Sequence, residues 1–117
     1  MKDTVSYYAL IKAGACPEGG KFFREHWGRG SASIYDIAQQ LSEHDNGMSW
    51  FSWLVEQNLV PEHILPEYRK AQDCSMKVWR KYYQYGQYAD RNENNVAYAL
   101  EDVTFRLWLK ELSNKNP

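Results

Sequence analysis

The run from Ser49 to Pro61, SWFSWLVEQNLVP, limits the fold more than any other part of the chain. On a helix, at 100° per residue, Trp50, Phe51, Trp53, Leu54 and Val55 span an arc of about 200°. A surface helix shows a narrower apolar stripe than that. Pro61 ends the run far short of the ~18 apolar residues of a spanning helix. The segment therefore reads as a helix packed on two sides, with Ser49 as its cap.

Helical spacing recurs between breakers. Tyr7, Leu10 and Ile11 follow the i, i+3, i+4 rule, and Gly14 stops that segment. Pro17 suits the first turn of a second helix, with Glu18 favourable at its positive end. That helix carries Phe22, Phe23 and Trp27 and stops at Gly28. Ser33 reads as the cap of a third, with Asp36 completing a box-like arrangement and Ile34, Ile37, Ala38 and Leu41 on one face. Asn46-Gly47 marks a turn. Pro61 and Pro66 bracket a short helical turn over 61–65. From Pro66 a long helix places Ala71, Cys74, Val78, Tyr82 and Tyr85 on one face. Gly86 kinks or ends it. The polar stretch 89–95 reads as a connector with Asn95 as cap. A last helix aligns Val96, Ala99, Leu100, Val103 and Leu107, with Phe105, Trp108, Leu109 and Leu112 widening the stripe. No segment reads as a strand.

These elements predict an all-α fold, a compact single-domain bundle of five or six helices over 1–117, with 113–117 as a frayed tail. The chain has 117 residues, 44% of them hydrophobic, enough for one core. The expected core is Phe22, Trp27, Trp50, Trp53, Leu54, Val78, Tyr82 and Val103. No segment resembles a signal peptide or a membrane span, so a cytoplasmic protein with no membrane contact is expected.

The chemistry-bearing residues form no catalytic or metal pattern. Cys16 and Cys74 lack metal-type spacing and read as packing residues or free thiols. His26, His44 and His63 show no HxxxH arrangement. Cys16 and His26 on one helix would lie about 15 Å apart, beyond the reach of a nucleophile and its base. Gly19 and Gly20 read as a close helix approach or as an exposed backbone contact. No catalytic residue, metal or cofactor is expected, and the chain reads as a non-enzyme.

Net charge is −1, but Arg69, Lys70, Lys77, Arg80 and Lys81 gather in one segment against Glu67 and Asp73. On the wheel these five cations occupy an arc of about 120°. Met76, Trp79 and Tyr83 border it. Such a stripe can meet an acidic protein surface, or track nucleic acid with aromatic stacking.

The segments AGACPEGGKFFREHWG, YDIAQQL and SWFSWL resemble the N-terminal module of small uncharacterised phage and prophage proteins. The matching residues are Ala15, Cys16, Gly19, Phe22, Phe23, Trp27, Tyr35, Leu41, Trp50, Trp53 and Leu54. The stretch EYRKAQDCSMKVWRKYYQYGQYA resembles one diverged copy of their downstream helical segment. The match departs at Ser49, where an acidic residue often precedes the first Trp. The resemblance implies a phage or mobile-element origin, hence a bacterial host cell, and no known reaction.

The expected function is that of an interaction protein which binds a host or phage protein without catalysis. By analogy with phage accessory proteins, that extends to an inhibitor of a bacterial defence system. A nucleic-acid-associated protein using residues 69–83 is the alternative. The wide apolar face of the last helix leaves a homodimer open.

Overall fold

The computed structural model describes residues 3–85 and 91–115, with side chains described over 3–77 and 101–115. The chain forms a helical bundle, as expected. Its elements are β1 (Thr4–Ser6), α1 (Tyr7–Lys12), α2 (Pro17–Trp27), β2 (Ser31–Ser33), α3 (Ile34–Ser42), α4 (Gly47–Glu56), a 3-10 turn (Glu62–Ile64), α5 (Leu65–Tyr85) and α6 (Arg91–Ser113).

The two strands correct the strand-free reading. They pair antiparallel, Thr4 with Ser33, Val5 with Ala32 and Ser6 with Ser31. Each is three residues long, too short to show period-2 alternation. The ribbon has a specific use. Ser6 Oγ accepts the Ala9 N–H at 3.0 Å, and Ser33 Oγ accepts the Tyr35 N–H at 3.1 Å. Each strand thus ends in a serine that caps the helix it enters, satisfying one of that helix's unpaired donors. Val5 and Ala32, paired at the centre, are buried.

The breakers act largely as expected. Gly28 ends α2 at φ 72°, a left-handed conformation that favours glycine. Pro17 takes the first position of α2. Gly20 is buried, and a Cβ there would stand 3.4 Å from Ile11 Cδ1. α1 and α2 thus approach each other at Gly20, where a Cβ would meet the movable end of the exposed Ile11 side chain. Two expected caps are corrected. Asn46, not Ser49, precedes α4, and Ser49 is exposed within the helix. Asn95 lies inside α6, which already begins at Arg91.

The core lies where α3, α4, α5 and α6 meet. Phe51 and Phe105 are almost fully buried there, joined by Tyr68 and half-buried Trp108. Ring centroids within this group lie 5.4 to 6.3 Å apart. Such pairs contribute about 0.5–1.5 kcal/mol each beyond the area they bury. The Tyr68 hydroxyl donates to Ser52 Oγ at 3.0 Å, so its polar end is satisfied.

α6 turns a different face inward from the one expected, and on α5 Ala71 is buried as expected while Cys74 is not. On α6, Val103 is 46% and Leu107 59% exposed, while Phe105, Leu109 and Leu112 are buried. Val103 is therefore no core residue. The helix offered two apolar stripes, and the one with the larger buried area won. On α5, Cys74 is exposed, and Tyr68, Ala71 and Ser75 face the core. Ser75 returns its hydroxyl to the Gln72 carbonyl at 3.0 Å. That bond makes it serviceable as a small buried residue against α6. Val78 and Tyr82 lie outside the residues whose side chains are described. At its end α6 is tied down, with Lys115 paired to Glu67 on α5.

Candidate functional site

The helices leave an open cleft of about 320 Å³ between α1, α2, α3 and α4. Cys16, Gly19, Phe22, Phe23 and Trp27 form one wall, and Ser49, Trp50, Trp53 and Leu54 the facing wall. Leu10, Ile37 and Leu41 form further parts of the lining. These side chains meet because both helices carry aromatics at helical spacing: Phe22, Phe23 and Trp27 on α2, Trp50 and Trp53 on α4. The expected core residues Phe22, Trp27, Trp50 and Trp53 are half-buried, while Leu54 is buried. Their outer surfaces line the cleft rather than the deep core.

Phe22 is the hub of one end. His26 lies 4.2 Å from it, His44 5.0 Å, Trp50 5.3 Å and Trp27 6.0 Å, ring centre to ring centre. His44 also stacks on Trp50 at 4.4 Å with planes 26° apart. Both histidines are oriented by backbone. His26 Nδ1–H donates to the Phe22 carbonyl at 2.9 Å, and His44 Nδ1 accepts the Asn46 N–H at 2.9 Å. Arg106 of α6 donates from Nη1 to the His44 carbonyl at 3.4 Å. The turn that carries His44 is thereby tied to the core helix behind it.

Cys16 stands at the cleft as the cap of α2, its Sγ accepting the Gly19 N–H at 3.4 Å. Both cysteines are exposed, so neither is the packing residue that its residue type suggested. Among the described residues no group of His, Cys, Asp and Glu is placed to hold a metal ion. Likewise no described helix is long and apolar enough to cross a membrane.

A second polar cluster lies elsewhere. The Tyr35 hydroxyl donates to Asp3 Oδ2 at 3.3 Å and stands 3.4 Å from His63 Nε2. Asp3 and His63 are themselves 3.7 Å apart. Burial, and then the neighbouring Asp3 carboxylate, push the Tyr35 phenol above its ordinary value of 10. The phenol remains a donor, and the cluster clasps β1 and the 3-10 turn onto α3.

The basic stripe is brought together only in part. Arg69, Lys70 and Lys77 are exposed on α5, and Lys77 pairs with Asp73 at 3.1 Å. Met76 is 40% exposed beside them. The side chains of Trp79, Arg80, Lys81 and Tyr83 lie outside those described.

Sequence reasoning assigned the cleft residues to the core and overlooked Ser49 and Cys16 as lining. One signal was available: the segments KFFREHW and SWFSWL supply Phe22, Phe23, Trp27, Trp50 and Trp53, which all line this cleft. No family model, curated protein or solved structure matches the chain.

Proposed function

We propose that this chain is a non-catalytic interaction protein that receives an apolar side chain of a protein partner in the cleft between α2 and α4. One observation carries the reading. A cleft of about 320 Å³ is walled by Phe22, Trp27, Trp50 and Trp53, held open by helices packed behind it. Large aromatic side chains in preformed apolar pockets are what interface anchors fit. The phage-type resemblance adds a setting, in which such a protein binds a host or phage factor and alters its activity.

The test fills the cleft without touching the core. Ser49 is exposed and lines the cleft, so Ser49→Trp occupies the space while circular dichroism checks the fold. Immobilised wild-type protein is expected to retain a partner from bacterial lysate that the filled variant does not. If both retain the same proteins at several salt concentrations, or neither retains any, the reading fails.

A further inference from the structure

The charge around the cleft is one-sided. Between Arg29 and Arg69 the chain has no lysine or arginine, yet it has Asp36, Glu43, Asp45, Glu56, Glu62 and Glu67. That stretch supplies all of α3 and α4. Glu43 and Asp45 flank His44, which stacks on Trp50 of the cleft wall. Glu56 closes α4 one turn beyond Trp53. All three carboxylates are exposed, and none forms an ion pair among the described residues. The two cations of the facing helix, Lys21 and Arg24, have neighbours of their own. Lys21 lies 3.9 Å from Glu25, and Arg24 sits over the Tyr7 ring at 5.9 Å.

Resting on the cleft reading above, we propose that the occupant is a basic amphipathic segment of the partner protein. It inserts one aromatic or large aliphatic side chain between Phe22 and Trp53, and sets lysines or arginines against Glu43 and Asp45 at one end and Glu56 at the other. The two ends of α4 fix the spacing. Along α4, from Gly47 to Glu56, the helical rise is about 14 Å, with Asp45 in the turn before it, so the basic residues flank the anchor on both sides. The apolar lining selects against a charged anchor, because a charge without a buried partner is costly to desolvate. The carboxylates repel nucleic acid and anionic lipid, and they steer a cationic segment toward the cleft.

The full-length chain is used to select from a displayed library of random twelve-residue peptides. Peptides enriched on wild type are expected to carry Trp, Phe or Leu between lysines or arginines. They should not enrich on Ser49→Trp or on the second cleft-filling variant Gly19→Leu. Gly19 suits that purpose because a Cβ there meets only Cys16 Sγ, at 3.5 Å. In fluorescence anisotropy, the triple variant Glu43→Gln, Asp45→Asn, Glu56→Gln should weaken such a peptide about tenfold at low salt and flatten its salt dependence. These are surface changes and leave the fold intact. Neutral or acidic enriched peptides, or a triple variant that binds as wild type does, would overturn the basic occupant while the cleft reading stands. Enrichment that is the same on wild type and on both filled variants would remove both. Enrichment of peptides like residues 66–81 of this chain, with concentration-dependent dimerisation in sedimentation, would replace the partner with a second copy.

Discussion

A Cβ placed on Gly47 would stand 2.0 Å from the carbonyl oxygen of Leu41. The glycine is needed for space, since α4 starts against the backbone at the end of α3. Gly47 is also buried, so the overlap meets backbone and cannot be relieved by a side chain moving aside. Gly47→Ala is expected to cost about 3 kcal/mol or more. A fall of that size in chemical denaturation, with unchanged m-value, is the outcome to look for. A variant as stable as wild type would show that the α3–α4 turn yields easily.

Leu107 and Leu109 stand two residues apart on α6 with opposite surroundings, 59% and 0% exposed. Leu107→Ala should change stability by less than about 0.5 kcal/mol. Leu109→Ala should cost about 2–5 kcal/mol, the range for a truncated core leucine. Equal effects in thermal unfolding would contradict the inward face assigned to α6.

Tyr35 links stability to alkaline pH. Its folded pKa is raised above 10, by burial first and then by Asp3. Stability from such a group is complete below the unfolded value and is lost as pH rises through the folded one. Tyr35→Phe removes the hydrogen bond to Asp3, a loss of about 1 kcal/mol at neutral pH. The gap between the two proteins should narrow as pH climbs past 10, because phenylalanine does not titrate. Urea unfolding at both pH values reads it directly. A gap that stays constant would count against the assignment.

Glu101 gives the acid counterpart. Partial burial, and then Asp102, raise its pKa above the ordinary 4.5. The stability it contributes is present below that value and lost as pH rises through the folded pKa. Glu101→Gln should therefore be the more stable protein at neutral pH, with the advantage fading below pH 4.5. Solvent screening keeps the gain below about 1 kcal/mol. Thermal midpoints at the two pH values test the sign.

Much of the fold was legible because apolar spacing and breakers agreed. The stripe Ile34, Ile37, Ala38 and Leu41 is buried as read, and Pro17, Gly28 and Ser33 sit where their chemistry placed them. The reading faltered where one helix carried two competing stripes. Val103 and Leu107 on α6 were as apolar in pattern as Leu109 and Leu112, and only packing against α3 and α5 chose between them. Ser75 was invisible as a core residue because a serine reads as polar, and the bond to its own helix that lets it be buried leaves no trace in the sequence. The cleft was half legible. Its aromatics stood out in SWFSWL and KFF, but periodicity cannot distinguish a ring that fills a core from one that walls a cleft. His26 and His44 also fall in separate segments, and only the meeting of α2 with the α3–α4 turn sets both against Phe22.

α3 packs more extensively on α6 than on α4, its neighbour in sequence. During synthesis, α3 leaves the ribosome well before Phe105, Leu109 and Leu112 of α6. For that interval an oily surface waits for a cover that has not been made. Holding chaperones recognise such surfaces, and the time between translating α3 and translating α6 sets how long the nascent chain stays exposed to them.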